Sequence, residues 1–392
     1  MTAEPNAESQ NAGGLPAEPL FVRTSGSPLD RGRQYGTTTR TQVLRSLEHY
    51  ERVYAKFADV SWDAATALAE TFVPVIAAFD ADHLEEMQGI AEGAGVTFPD
   101  VLALNLRTEI LFSGKARKIA AGAAGPTAPP ECTAFADLRG PEPVVGQNWD
   151  WIPFAHGTVV VLETEPTNGP RWVSVVEAGL LAKFGMNSAG LTVLTNALVT
   201  SLDVGSPGMP YHLLLRALLE SESLEAAEEK LRSAHRSSSA NYLLVGDGRA
   251  VDVETRPGGA DDVSVHRVGP GGLFVHTNHF VSDDSAFAST GTDLGPTVMA
   301  DTLFRRGRTL ELAERMPQPT VAGWHEVLSD HGNFPEAVCC HPNPAEHALE
   351  QGSTVASAVI EPERQIMHLA LGHPCTTPRA PYGYRPFFKG LA

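Results

Sequence analysis

A segment rich in glycine, proline and alanine divides this chain into two parts of different character. It runs from Ala120 to Pro130 and reads AAGAAGPTAPP. Glycine and proline at this density interrupt helices and strands alike. The segment therefore predicts an exposed linker that can be cleaved, with a separate set of elements on each side of it.

The part before the linker has the periodicity of helices. Apolar residues recur at helical spacing, and helices are predicted at 41–58, 63–79, 82–94 and 99–112. Residues 1–20 are polar and acidic, without the basic start and apolar middle of a signal peptide, and predict a disordered tail. We therefore expect residues 21–131 to form a mostly helical segment.

The part after the linker, residues 132–392, is rich in short β-branched runs bounded by Gly, Pro and Asn. Gly246-Asp247-Gly248 indicates a hairpin between two of these runs. Strands are predicted at 158–164, 171–177, 181–184, 191–194, 241–245, 250–254, 272–276, 354–360 and 365–371, and helices at 211–219, 224–234, 298–316 and 321–330. This order predicts an α+β fold of antiparallel sheets covered by helices.

The amino-acid composition limits which binding partners and which cellular compartment are expected. Apolar residues make up 42% of the chain and the net charge is −18, which allows a large core and argues against nucleic acid or an anionic membrane as partner. No stretch reaches the roughly 20 apolar residues that span a bilayer. Four cysteines in 392 residues are too few for a disulfide scaffold, so a reducing, cytoplasmic location is expected.

Cys132 follows the linker at the start of the strand-rich part, in Glu131-Cys132-Thr133-Ala134. A lone cysteine is usually a small buried apolar residue. A cysteine where a loop meets a strand is also how an N-terminal-nucleophile enzyme is built, in which the chain is cut before the nucleophile. The new α-amino group has a pKa near roughly 7.7–8.0 and serves as the base.

Further motifs turn this placement into a family resemblance. Cys132-Thr133 with Gly146-Gln147-Asn148-Trp149-Asp150 resembles the isopenicillin N acyltransferase (acyl-coenzyme A:6-aminopenicillanate acyltransferase) family. Shorter similarities occur at 185–191, where Thr195-Asn196 follows, at 275–280 with Thr277-Asn278-His279, and at 105–109. The resemblance spans residues 26–372. It implies one catalytic domain with the four-layer αββα sandwich of N-terminal-nucleophile hydrolases.

The resemblance also implies roles for single residues. Cys132 would be both the autocleavage and the acyl-transfer nucleophile, Asp150 would bind the freed α-amino group, and Asn278 would donate to the oxyanion. Asn196 would line the pocket. The zymogen would yield an α chain, 1–131, and a β chain, 132–392, which stay associated.

Two positions depart from the family pattern. Glu131 stands where the fungal acyltransferase has glycine, and its side chain would either hinder the turn needed for an N-to-S acyl shift or assist a proton transfer. Cys340, in Ala337-Val338-Cys339-Cys340-His341-Pro342, stands where relatives carry arginine. This places Cys340 among the candidate pocket residues and argues for a substrate other than a penicillin.

The expected activity is therefore that of a self-processing amidohydrolase or acyltransferase of specialised metabolism. It would act on a small N-acyl amine, amide or thioester through an acyl-cysteine, with no cofactor, and a coenzyme A thioester is one candidate acyl donor. Its partners would be this small molecule and its own α chain. The sequence leaves open hydrolysis against transfer, and whether the chain forms a homo-oligomer.

Two other interpretations compete with this one. A zinc site would use His276 and His279 or Cys339, Cys340 and His341, but adjacent cysteines rarely bind one ion and alternation along a strand separates the histidines, so no metal is expected. Glu131 leaves room for an uncleaved, non-catalytic binding protein on the same fold. The basic run of Arg305, Arg306 and Arg308 predicts a solvated helix face rather than a coenzyme A site.

Overall fold

Two β-sheets pack face to face in the computed structural model of the protein, which describes residues 18–122 and 132–391. The strands are β1 Phe21–Gly26, β2 Thr133–Asp137, β3 Val144–Trp151, β4 Val159–Pro166, β5 Trp172–Glu177, β6 Phe184–Asn187, β7 Thr192–Ala197, β8 Ala240–Gly246, β9 Arg249–Thr255, β10 Val263–Val268, β11 Leu273–His276, β12 Ser353–Glu361, β13 Ile366–Ala370 and β14 Ala380–Gly383. One sheet has the order β1-β4-β5-β6-β7-β8-β9-β10 and the other β11-β2-β3-β12-β13-β14.

Helices cover the outer faces of both sheets. They are α1 Pro28–Thr38, α2 Arg40–Val53, α3 Trp62–Glu70, α4 Val73–Phe79, α5 Ala81–Ala94, α6 Phe98–Asn105, α7 Arg107–Ala120, α8 Tyr211–Leu219, α9 Leu224–Ser233, α10 Ser285–Ala288, α11 Gly295–Val298, α12 Thr302–Glu314, α13 Val321–Leu328 and α14 Arg385–Phe388. Helices α8 and α9 pack on the eight-stranded sheet, and α12 and α13 pack on the six-stranded sheet. The predicted α+β architecture of two sheets between helices is thus confirmed.

Strand β1 departs from the prediction in two ways. It comes from the part of the chain before the linker, and it pairs in parallel with β4, whereas the other strand pairs of both sheets are antiparallel. Val22 and Thr24 point into the core while Phe21, Arg23 and Ser25 are more exposed. So short an alternating run becomes a strand because β4 offers it a partner edge, which local pattern alone does not reveal.

The helices before the linker form a closely packed layer of their own. Glycines on α1 and α5 let the two backbones approach: a Cβ on Gly32 would lie 2.1 Å from the carbonyl oxygen of Glu86, and one on Gly89 would lie 2.3 Å from that of Leu29. The predicted helix at 63–79 is divided into α3 and α4, and the one at 99–112 is divided at Leu106 into α6 and α7.

Some of the predictions fall outside the described residues. These are residues 1–17 of the predicted tail and the segment 123–131, which includes Glu131. Across 18–122 and 132–391, no single helix has the length and apolar composition of a membrane span; α3 and α4 meet that test only as a pair bent by 42°.

Candidate active site

Cys132 lies directly before β2, a central strand of the six-stranded sheet, and is fully buried. Its carbonyl oxygen accepts two hydrogen bonds: one from Asn196 Nδ2 at 2.9 Å and one from Arg305 Nη1 at 3.0 Å. Asn196 belongs to β7 of the other sheet, and Arg305 belongs to α12. Three layers of the fold therefore fix the backbone of the predicted nucleophile.

Asp150 reaches the same place from the neighbouring strand. Strands β2 and β3 pair with Thr133 opposite Asn148, so Asp150 lies two residues beyond the end of that ladder, beside the start of β2. Thr354 lies opposite it on β12, and its hydroxyl donates to Asp150 Oδ1 at 2.5 Å. Gly146 allows β3 and β12 to pair closely, because a Cβ at this position would lie only 2.2 Å from the carbonyl oxygen of Ala358 on β12.

Asn278 follows β11 and is also fully buried. Its backbone N–H donates to Thr302 Oγ1 at 2.7 Å, and its Nδ2 donates to the carbonyl oxygen of Ala197 at 3.0 Å. Its Oδ1 accepts from Arg305 Nη2 at 2.9 Å. These contacts fix which way the amide points, and a primary amide nitrogen has a second hydrogen to donate.

Arg305 connects these residues, and the prediction of a solvated face was wrong for it. Its side chain is fully buried; it donates to Cys132, Thr133 Oγ1 and Asn278 and forms an ion pair with Asp301. Burial opposes its charge, but Asp301 and Asp150 outweigh that effect and raise the pKa of the guanidinium.

The signal for Arg305 was present in the helical period. The buried residues of α12 recur at spacings of three and four and so form the face that points into the protein: Thr302, Arg305, Thr309 and Ala313. The other two arginines differ: Arg306 Nε donates to the carbonyl oxygen of Val275, and Arg308 forms an ion pair with Asp330 nearer the surface. The sequence prediction treated all three arginines as one exposed patch and therefore did not distinguish the buried Arg305.

Four buried side-chain amides on β3, β7 and β8 each have one atom without a hydrogen-bond partner among the described residues: Gln147, Asn148, Asn196 and Asn241. Two of these, Asn196 and Gln147, offer one acceptor and one donor. Asn196 donates to the carbonyl oxygens of Cys132 and His276, but its buried Oδ1 accepts nothing. Gln147 Oε1 accepts from the backbone N–H of Thr195, while its buried Nε2 donates to nothing. The free acceptor thus belongs to Asn196 of β7, and the free donor belongs to Gln147, which contacts the preceding residue of β7, Thr195.

Cys340 is buried behind Asp150. Its backbone N–H donates to Thr354 Oγ1 at 2.9 Å, and its carbonyl oxygen accepts from the N–H of Thr354. Burial, together with the charges of Asp150 and Asp301, raises the pKa of its thiol well above the ordinary value. Cys340 is therefore protonated at neutral pH and is unsuited to act as a second nucleophile.

The two histidines of the alternative zinc site, His276 and His279, contact different groups. His276 Nε2 contacts Glu254 Oε1 at 2.9 Å, whereas His279 Nδ1 contacts Thr302 Oγ1 at 3.0 Å. Burial lowers the pKa of His279 to about 4, so it is neutral at neutral pH. A cleft of about 810 Å³ opens beside His279 and is lined by Glu254 and Arg306 rather than by Cys132.

Comparison with known proteins places these residues in a family context. The model of the family described as acyl-coenzyme A:6-aminopenicillanic acid acyl-transferase matches residues 138–375, more than half of the chain. The chain is 26% identical over 360 residues to the acyl-coenzyme A:6-aminopenicillanic-acid-acyltransferase 40 kDa form of Emericella nidulans, covering 91% of this chain and 93% of that protein.

The matches among solved structures are more distant. A variant of the conjugated bile acid hydrolase from Clostridium perfringens matches with 13% identity and a TM-score of 0.43, covering 65% of this chain and 97% of that one. The penicillin V acylase from Agrobacterium tumefaciens matches with 18% identity and a TM-score of 0.40, covering 61% of this chain and 83% of that one.

Proposed function

Because this chain belongs to the acyl-coenzyme A:6-aminopenicillanic acid acyl-transferase family, we propose that it is a self-processing enzyme that transfers or hydrolyses an acyl group through a thioester on Cys132. The observation that carries the proposal is the convergence on one buried point. Asn196 and Arg305 bind the carbonyl oxygen of Cys132, and Arg305 also binds the side chain of Asn278.

Processing would start from the continuous chain. The thiol of Cys132 attacks the carbonyl carbon of Glu131, the peptide C–N bond breaks, and the nitrogen of Cys132 takes a proton to become an α-amino group. Water then hydrolyses the thioester, leaving a carboxylate on Glu131 and a free thiol on Cys132. The two hydrogen bonds to the carbonyl oxygen of Cys132 support this step because they fix the residue on the product side of the bond.

Turnover would reuse the same thiol. The α-amino group takes the thiol proton, and Asp150 stabilises the resulting ammonium by a charge-assisted hydrogen bond. The thiolate attacks the substrate carbonyl, and the second hydrogen of Asn278 Nδ2 stabilises the oxyanion, a contribution of roughly 2.7–4 kcal/mol for one donor. The amine or thiol leaves with the proton, and water or a second amine releases the acyl group.

The unpaired amide atoms favour an amide as substrate. A secondary amide presents one N–H donor and one carbonyl acceptor, and the free Oδ1 of Asn196 and Nε2 of Gln147 are complementary to these. We therefore propose a small N-acyl amine as the acyl donor for hydrolysis, with a coenzyme A thioester as the alternative donor for transfer.

The test is the intact mass of the denatured protein for wild type, Cys132→Ala and Cys132→Ser. Wild type is expected to give two chains, the second starting at Cys132. Cys132→Ala is expected to remain uncut with an unchanged circular dichroism spectrum, and Cys132→Ser to be cut slowly, because a hydroxyl is the weaker nucleophile. Wild type that is then incubated with N-acyl amines or acyl thioesters should gain the acyl mass on the Cys132 peptide.

Two results would reject the proposal. Cleavage of Cys132→Ala at the wild-type rate would assign the cut to an external protease. An uncut wild type that binds no acyl group would favour the alternative, a non-catalytic binding protein on the same fold with Glu131 blocking the cut.

A further inference from the structure

Four side chains with metal-binding atoms meet where the loop before β12 and the loop after β13 come together. They are His331, Cys339, His341 and Cys375, and their Nε2 and Sγ atoms all lie within 4.8 Å of one another. We call them the Cys2His2 cluster. The first three lie in the loop between α13 and β12, and the fourth lies in the loop after β13.

We propose that the Cys2His2 cluster binds one zinc ion that joins these two loops. Two thiolates and two imidazoles in a tetrahedral set are a donor combination that zinc prefers in structural sites. All four ligands come from the protein, so no position stays open for substrate or water. The ion would therefore be structural, and it is distinct from the chemistry at Cys132.

Three distances within the cluster, all from Nε2 of His341, are close to those of such a site. His331 Nε2 lies 3.2 Å from His341 Nε2, and the Sγ atoms of Cys339 and Cys375 each lie 3.4 Å from the same nitrogen. Ligands bound to tetrahedral zinc at its usual bond lengths are separated by roughly 3.3–3.8 Å.

Ordinary hydrogen bonds do not account for this arrangement. Nε2 of a neutral imidazole is either one donor or one acceptor, and Nε2 of His341 has three polar neighbours at contact distance. A shared ion satisfies all three contacts at once. By contrast, Asp252, Glu254 and His276 also converge, but Glu254 already accepts from His276 and from two backbone N–H groups.

Backbone hydrogen bonds and a stacked ring hold Cys339 and His341 in place. The backbone N–H of Cys339 donates to the carbonyl oxygen of Asp330, and that of His341 donates to the carbonyl oxygen of Pro335. The ring of His373 stacks on His341 with centroids 4.1 Å apart. Its Nε2 contacts Ser353 Oγ at 2.8 Å, which fixes the stacked pair against β12.

Adjacent cysteines rarely bind one ion, but Cys339 and Cys340 need not act as a pair. The structure separates them: Cys339 and His341 belong to the cluster, whereas Cys340 between them lies behind Asp150 and bonds to Thr354. The ion would thus hold both neighbours of Cys340 and restrain the segment that lines the candidate active site.

The experiment is elemental analysis of the full-length, untagged protein purified from zinc-supplemented medium. Wild type is expected to contain one zinc ion per chain. Cys375→Ser and His331→Gln are expected to lose at least about nine-tenths of it. Cys340→Ser is the matched control, a neighbouring buried thiol outside the cluster, and should keep its zinc. Cobalt exchanged into wild type should give thiolate-to-metal absorption that is absent from Cys375→Ser.

The same analysis on Cys132→Ala separates this proposal from the proposed function, because the metal content should not depend on processing. Wild type without zinc after supplementation would overturn the proposal. So would a disulfide between Cys339 and Cys375 in the fresh protein, detected by mass before and after reduction. Equal zinc in wild type, Cys375→Ser and His331→Gln would assign the ion to another place and overturn it as well.

Discussion

Arg216 and Arg305 are two fully buried arginines with different kinds of partner. Arg216, on α8, donates to both carboxylate oxygens of Glu86 at 2.8 Å and also binds Glu220. Arg305, on α12, has Asp301 as its carboxylate partner and donates otherwise to neutral oxygens of Cys132, Thr133 and Asn278. Burial alone therefore does not reveal what a charge does.

The difference lies in where the charge acts. Around Arg216 the positive charge is matched by carboxylates, so the cluster joins α8 to α5 and affects stability. Around Arg305 part of the charge polarises amide and carbonyl oxygens of the candidate site, so it affects the position of atoms that would meet substrate. The following substitutions test this contrast, from the largest expected effect to the smallest.

Glu86→Gln is expected to destabilise the fold by about 3–5 kcal/mol, because it leaves Arg31 and Arg216 buried without their shared carboxylate. Activity per folded molecule should not change. The matched control is Glu92→Gln on the same helix, α5. Its pair with Arg33 is equally short at 2.7 Å but exposed, and its loss should leave the urea midpoint unaltered. Equal shifts of that midpoint in both variants would refute the contrast.

Arg305→Met is expected to lower kcat by about 10²–10³-fold with little change in KM, since Asn278 loses the contact that orients its amide. The rate of the cut before Cys132 should fall as well. Arg308→Met, on the same helix but paired with Asp330 near the surface, should retain both rates. An increase in KM at unchanged kcat, or a decrease in kcat fully explained by unfolding, would mean that Arg305 has a structural role like that of Arg216.

Asn196 and Asn187 offer a smaller contrast of the same kind. Asn187 uses both polar atoms of its amide, with the carbonyl oxygens of Leu219 and Ser221 and with backbone N–H groups. Oδ1 of Asn196, by contrast, has no hydrogen-bond partner within residues 18–122 and 132–391. Asn187→Ala is expected to cost about 1–3 kcal/mol of stability at unchanged kcat. Asn196→Ala should mainly reduce kcat/KM for amides. Urea titration and steady-state kinetics check both variants. A loss of stability at unchanged kcat/KM in Asn196→Ala would contradict the proposed role of Asn196.

Acid should erase the effect of Glu86→Gln. Burial alone would raise the pKa of Glu86, but the charges and hydrogen bonds of Arg216 and Arg31 outweigh it and lower the pKa. A carboxylate with a lowered folded-state pKa stabilises the fold above its unfolded pKa, near about 4.3, and that stabilisation is lost as pH falls through the folded value. The urea midpoints of wild type and Glu86→Gln should therefore approach each other as pH falls below about 4.3 and coincide below the folded-state pKa of Glu86. A gap that stays constant down to the lowest pH at which both proteins fold would contradict this account.

Much of the fold could be predicted because its elements follow local rules. The helix at 211–219 was predicted to the residue, and the hairpin across Gly246-Asp247-Gly248 was confirmed as β8 and β9. Strand β1 and helix α1 were not predicted, because one is a short edge strand and the other packs through glycines rather than through an apolar stripe. Both are decided by a partner that is distant in sequence.

The candidate site could be predicted only where a motif marked it. Cys132, Asp150, Asn196 and Asn278 were found through the family pattern, and the structure brings Cys132, Asn196 and Asn278 together by direct or shared hydrogen bonds. Their catalytic roles stay predictions. Arg305 was missed because a charged residue on a helix usually faces solvent, and only the tertiary contacts show what compensates for its burial.

Strand β1 has a consequence for aggregation. It pairs with residues 161–166 of β4, which begin with the apolar Val161 and Leu162, and its Arg23 forms an ion pair with Glu163. An unpaired, apolar strand edge is a template for association with other chains, and a charged edge strand discourages it. A β chain separated from residues 21–26 would expose this edge, so the segment before the linker protects the remainder of the molecule from self-association.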